Sequence, residues 1–301
     1  MSLTDLFWLL LAAAVILPVV QRRLLESARS RLRREIEQSR GSRLILLVHR
    51  QETVSLFGLP LVRYIDIQDA EEVIHAIRHT PADVPIDIIL HTPGGLALAS
   101  LQIARALASH PAPVTALVPH YAMSGGTLIA LAADRIVMCR HAALGPIDPQ
   151  VGPYPAASVV RAVALKEDQH IDDEILILAD QAGMAIEQVR RGVVDLLGDR
   201  YPERTVDYIA DALSEGRWTH DYPITAEEAA GLGLTVSTDM PEPVMEMMRL
   251  YPGPRRAGGN VEYGQRIRPR GSAPSPAGPA PTGEPATISP AKRNPDPPAE
   301  P

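Results

Sequence analysis

The chain has 301 residues, 46% of them hydrophobic but only 4% aromatic, so one or two domains can form around a core of Leu, Ile, Val and Ala. A net charge of −7, with no basic block in the foldable part, argues against a nucleic-acid partner. A single cysteine, Cys139, excludes an internal disulfide and fits a reducing compartment.

In chain order, residues 6–20 (LFWLLLAAAVILPVV) form an unbroken apolar run. Fifteen helical residues span about 22 Å, short of a hydrocarbon core of about 30 Å. Residues 1–5 extend it to the usual length, with Asp5 at the headgroup level. No Lys or Arg precedes the run, whereas Arg22, Arg23, Arg29, Arg31, Arg33, Arg34 and Arg40 follow it. A signal peptide needs the opposite arrangement and a small-residue cleavage site. The positive-inside rule keeps the arginine flank cytoplasmic. Residues 1–40 therefore read as a single-pass membrane anchor with an Arg-rich juxtamembrane helix, a loosely attached interfacial helix being the competing reading.

Residues 41–250 read as the folded domain, with the main body on the cytoplasmic side. Strand-like runs at 44–49 (LILLVH), 86–90 (IDIIL), 114–118 and 135–139 alternate with helical patterns at 70–79, 96–109, 127–133 and 203–215. Residues 156–199 read as helical, with Gly183 as a break. This alternation implies an α/β fold with parallel strands and right-handed crossovers. Ligand sites in such folds lie at the carboxyl ends of strands. From residue 251 to 301 the composition shifts to Pro, Gly, Ser and Ala, which reads as a disordered tail. His75 and His79 have helical i, i+4 spacing, but Ala76 stands where a metalloprotease helix needs glutamate. No metal and no cofactor are expected.

Two glycine-bearing turns fall at strand ends. In 120–126 (HYAMSGG), Ser124 leads from a strand into an apolar helix, where free N–H groups favour a developing negative charge. A helix-capping serine is the plainer alternative. In 92–95 (TPGG), consecutive glycines can turn main-chain N–H groups outward, as acyl transfer requires around its oxyanion. Adjacent parallel strands would bring Gly94 and Gly95 beside Ser124.

Residues 86–144 resemble the Clp-protease/crotonase-like superfamily, in particular the serine peptidases related to signal peptide peptidase A. The details of 91–95, 121–134 (YAMSGGTLIALAAD), 144–152, 216–223 (GRWTHDYP) and 227–234 are similar to the serine dehydrogenase proteinase family within it. The resemblance covers about residues 40–240. It implies a Clp/crotonase-like ββα superhelix of parallel strands, Ser124 as nucleophile, and an oxyanion hole from the N–H groups of Gly94 or Gly95 and of Gly125. It also implies peptide or protein substrates and a homo-oligomer.

The base is where such relatives differ. Clp-type peptidases carry a histidine about 25 residues after the serine, but here that stretch reads LGPIDP, and His141 comes too early. Relatives with a Ser-Lys dyad carry a lysine further on, and Lys166 stands 42 residues after Ser124. Of the 29 Lys and Arg residues all but Lys166 and Lys292 are arginine, so Lys166 is the only lysine outside the tail. A lysine base must be neutral, which needs desolvation; Val163, Ala164 and Leu165 could supply it. Lys166 is therefore the expected base, with His91 and His120 at the ends of the two site strands as runners-up. The expected activity is a membrane-anchored serine peptidase with a Ser124–Lys166 dyad. The alternatives are a crotonase-type acyl-CoA hydratase or isomerase, which needs paired glutamates, and an inactive membrane scaffold. Trp218 and the Met245, Met247 and Met248 stripe read as packing or subunit-contact residues.

Overall fold

A computed structural model describes residues 3–49, 63–166 and 172–251. The expected tail, beyond Tyr251, lies outside the described residues. The chain begins with α1 (Leu3–Arg40), β1 (Arg43–Val48), α2 (Ile67–Arg78), β2 (Ile86–His91), α3 (Ala97–Ala108) and β3 (Val114–Val118). There follow β4 (Tyr121–Ala122), α4 (Gly125–Leu131), β5 (Arg135–Met138), β6 (Ala143–Leu144), β7 (Gln150–Val151) and β8 (Tyr154–Pro155). The last elements are α5 (Ala156–Ala164), α6 (Asp173–Leu197), α7 (Glu203–Ser214), α8 (Ala226–Gly231), β9 (Val236–Ser237) and α9 (Glu242–Arg249).

The main sheet is parallel throughout, in the order β1-β2-β3-β5-β9. A parallel sheet needs helical crossovers and is therefore covered on both faces, which is why its strands read as nearly continuous apolar runs. Side chains alternate between the faces. Ile86, Ile88 and Leu90 of β2 pack with Ile103 and Leu107 of α3, Ile129 of α4 and Val193 of α6. Ile89 between them joins Leu44, Leu117 and Val137 against Ile36 of α1 and Val244, Met247 and Met248 of α9. The methionine stripe is thus core, apart from the half-buried Met245. Asp87 shares the second face. It is buried, and it is held by the guanidinium of Arg40 at 2.5 and 2.9 Å and by the Ser42 hydroxyl.

Two expectations change. Gly183 does not break the helix: α6 runs through it, and nothing lies within 4 Å of where its side chain would be. A helical glycine costs only about 1 kcal/mol, which the packing of α6 on α5 and α7 offsets. The helical pattern is interrupted earlier instead, after α5. The expected membrane-spanning helix gains no support: among the described residues no helix is long and apolar enough to cross a membrane. The apolar run lies inside α1, which continues as one helix through Pro18 to Arg40 and docks on the sheet by its last turns.

Two small sheets complete the scaffold: β4 pairs parallel with β6, and β7 pairs antiparallel with β8. The β4–β6 pair lies beside the glycine turns through the Thr92–Ala122 bridge, and Gln150 of β7 lines one cavity with Gly95 and Ser124.

Candidate active site

Ser124 bridges β4 and α4 in a conformation that a residue with a side chain rarely adopts, φ 50° and ψ −117°. It is the only non-glycine residue with positive φ among the described residues. Such a backbone costs about 1–3 kcal/mol and persists only where the surroundings enforce it. Here Met123 N–H donates to Thr92 O, Gly126 N–H to Met123 O and Leu128 N–H to Ser124 O. The helix-capping alternative fails, because the Ser124 side chain makes no capping hydrogen bond. Ser124 instead lines a cavity of about 390 Å³.

The neighbouring turn is packed against it. Gly94 has φ 103°, and a methyl group on it would stand 2.8 Å from Ser124 Cβ. Its N–H already donates to Thr92 Oγ1 at 3.1 Å, so it is not an oxyanion donor in this arrangement. Its carbonyl accepts from Ile65 N–H at 2.8 Å. In a trans peptide the N–H points opposite to the C=O. Anchoring that carbonyl to Ile65 therefore turns the Gly95 N–H the other way, towards α4. A side chain at Gly95 would meet the Ile65 backbone at 2.2 Å, which fixes glycine there. Gly125 opens α4, where the first N–H groups have no helical partner. Gly95 and Gly125 line the cavity with Ser124, whereas Gly94 does not.

The same cavity holds an acid–histidine pair. His220 Nδ1 stands 2.9 Å from Oδ1 of Asp148, whose Oδ2 accepts from Gln150 Nε2 at 2.9 Å. Asp148 is almost fully buried, while the His220 side chain is 36% exposed. The hydrogen bond to Asp148 raises the His220 pKa above its ordinary 6.5, against the opposing effect of burial. Because the carboxylate accepts at Nδ1, that nitrogen carries the proton and Nε2 keeps its lone pair. Sequence-distant segments make this pair. Leu144 and Ile224 exchange backbone hydrogen bonds at 3.0 and 2.9 Å, and Ile147 N–H donates to Leu213 O. These clamps hold the 145–150 loop against the 216–223 segment, where Trp218 also packs on the core and stacks on Tyr222.

Lys166 is elsewhere. It follows the end of α5, is exposed, and does not line the cavity of Ser124. Leu165, expected to desolvate it, is itself 88% exposed. The runners-up do not line the cavity either: His91 is buried against Tyr121 and His120, and His120 is exposed. Among the described residues that line the cavity, Asp148 is the one carboxylate and is engaged with His220, and the glutamate pair that hydratase chemistry needs is not among them. His220 is the residue that sequence reasoning missed. It lies in the segment GRWTHDYP, 96 residues after Ser124 and far beyond the histidine spacing of Clp-type peptidases.

A free hydroxyl on an enforced turn, main-chain donors beside it and a carboxylate-oriented imidazole are what acyl transfer on a serine requires. The chain belongs to the family of ClpP-like SDH-type serine proteinases, which it matches over residues 1–270. It is 52% identical over 258 residues to an uncharacterised protein of Methanocaldococcus jannaschii, covering 86% of this chain and 90% of the relative. A second uncharacterised protein of that organism is 48% identical over 262 residues, covering 87% and 89%. Among solved structures, a variant of 1510-N, a membrane-bound stomatin-specific protease, aligns over 61% of this chain and 79% of its own at 20% identity and a TM-score of 0.41. A variant of ClpP1 from Listeria monocytogenes aligns over 68% and 96% at 17% identity and a TM-score of 0.43.

Proposed function

We propose that this protein is a serine peptidase in which Ser124 is the nucleophile, His220 the general base and Asp148 the residue that orients it. The oxyanion donors are the N–H groups of Gly95 and Gly125. The observation that carries this reading is the meeting of Ser124 and the His220–Asp148 pair in one cavity. Ser124 Oγ attacks the scissile carbonyl carbon while its proton passes to His220 Nε2, and negative charge develops on the carbonyl oxygen facing Gly95 and Gly125. Collapse breaks the C–N bond, and His220 returns the proton to the leaving amine. Water, deprotonated by His220, then releases the acyl group as a carboxylic acid and restores Ser124. Leu96, Leu128, Ile147 and Val189 give the cavity an apolar wall, which suits substrates with apolar side chains.

The test is a fluorophosphonate label and a peptide substrate applied to the parent and to Ser124→Ala. The parent should be labelled on Ser124 and turn over, and the variant should do neither. Equal cleavage by the variant would rule out this nucleophile.

Association with a membrane belongs to the same reading. The first half of α1 exposes Phe7, Trp8, Ile16, Leu17, Val19 and Val20 ahead of the arginine-rich stretch. Apolar side chains beside arginines suit a helix held at an anionic bilayer surface. Self-association is proposed too, since Leu165, Ile177 of α6 and Met184 of α6 are exposed large apolar residues near one another in sequence. Light scattering of purified protein that returned a monomer mass would contradict it.

A further inference from the structure

Behind the glycine turn lies a buried polar chain that the proposed catalytic steps do not use. His49, at the end of β1, is 4% exposed, and Thr92, just past β2, is fully buried. His49 Nε2 faces Asp69 Oδ2 at 3.2 Å, and its Nδ1 stands 2.9 Å from Thr92 Oγ1. Thr92 Oγ1 in turn accepts the Gly94 N–H. Asp69 is fixed in its own right: it forms a reciprocal capping box with Asp66 at the start of α2.

The pattern assigns the protons. A carboxylate can only accept, so in the neutral imidazole Nε2 carries the proton and Nδ1, at 2.9 Å, accepts the Thr92 hydroxyl hydrogen in preference to Gly94 O at 3.5 Å. That leaves a Thr92 lone pair for Gly94. The backbone of Thr92 is bound as well: its N–H donates to Tyr121 O at 3.2 Å, and its carbonyl accepts from Met123 N–H at 3.0 Å. One residue thus grips the serine turn with its main chain and the glycine turn with its side chain.

We propose that Asp69, His49 and Thr92 form a positioning relay that sets the orientation of the Gly94–Gly95 peptide and thereby aims the Gly95 N–H at the oxyanion. This rests on the reading of Ser124 as nucleophile with Gly95 as an oxyanion donor. None of the three residues lines the cavity, so they act through Gly94 and not on substrate. Consecutive glycines have many backbone conformations open to them. Two anchors select one: Thr92 Oγ1 on the Gly94 N–H, and Ile65 N–H on the Gly94 carbonyl. The Thr92 hydroxyl holds the Pro93–Gly94 peptide; without it Gly94 is free to leave its positive φ, which shifts the Gly94–Gly95 peptide on its one remaining anchor at Ile65, and the donor is misaligned in the transition state while ground-state binding is kept.

The experiment uses the full-length chain with Thr92→Val, Thr92→Ser and Asp69→Ala, assayed on a p-nitrophenyl ester and with a peptide boronate that forms a tetrahedral adduct on the serine. Removing an oxyanion donor typically costs about 100- to 1,000-fold in kcat, so loosening one through its support should cost about 10- to 100-fold. We expect Thr92→Val to lose that much kcat with KM within about twofold, and to lose boronate affinity by a similar factor. Thr92→Ser should recover most of both. If Thr92→Val does not fold, Asp69→Ala, at the partly exposed end of the relay, carries the test with a several-fold loss of kcat. Unchanged kcat in a folded Thr92→Val or Asp69→Ala, a loss confined to KM, or no recovery in Thr92→Ser would overturn the relay. A Ser124→Ala variant as active as the parent would overturn the nucleophile reading instead.

Discussion

At the residue scale, His220 feels two opposing influences. The Asp148 carboxylate stabilises its protonated form, burial disfavours it, and the carboxylate prevails. To accept a proton from Ser124 the imidazole must be neutral, so kcat/KM should rise with pH through a pKa above the usual histidine value of about 6.5. Asp148→Asn should move that inflection down and lower the plateau, since the orienting acceptor is gone. A pH profile of ester hydrolysis checks both, and an identical inflection in the two proteins would break the link between the pair and the rate. The same shift has a stability counterpart. A raised folded-state pKa stabilises fully below the unfolded value and loses its effect as pH rises through the folded one. The pair therefore stabilises the fold least at the pH where the base works best. Gly94 makes a second residue-scale case. Gly94→Ala should cost at least about 1 kcal/mol for its positive φ alone, before the contact with Ser124 Cβ is counted. Urea unfolding should show that loss together with reduced labelling of Ser124.

At the element scale, α1 is fastened to the sheet by a short segment. Arg40 and Ser42 satisfy the buried carboxylate of Asp87 near the start of β2, the strand that ends at the glycine turn. Arg40→Ala leaves that charge without its cation, and we expect a loss of about 2–4 kcal/mol in urea unfolding. A change below about 0.5 kcal/mol would mean that water or Ser42 alone suffices. Elements of this kind were legible in the sequence for a physical reason: a sheet covered on both faces writes apolar runs such as IDIIL, and strand ends write glycines. Ser124 could be found because its turn is local. The acid–histidine pair proposed as the base cannot be found in that way. Asp148 and His220 are brought together by long-range contacts, Leu144 with Ile224 and Ile147 with Leu213, that no local pattern records. The scarcity of lysine is a property of composition and says nothing about burial, and Lys166 is exposed. Gly183 misled because a solvent-facing glycine does not stop a helix whose packing is strong.

At the scale of the whole molecule, the leading helix α1 belongs to the same compact unit as the sheet. The α1 residues that join the sheet and α9 are towards its end: Arg29 donates to Leu250 O and stacks on Tyr251, and Leu32, Ile36 and Arg40 follow. Deleting residues 1–24 should therefore leave the melting temperature within about 2 °C while moving the protein from the liposome fraction to the supernatant in a flotation assay with anionic vesicles. A truncated protein that still floats would place membrane attachment elsewhere.

The central claim is that His220, and not Lys166, takes the proton of Ser124. Comparing kcat/KM for His220→Ala and Lys166→Ala in the full-length chain tests it most directly. The account expects a loss of about a thousandfold or more for His220→Ala and a change within about threefold for Lys166→Ala. The reverse ranking, with His220→Ala active and Lys166→Ala dead, would contradict it.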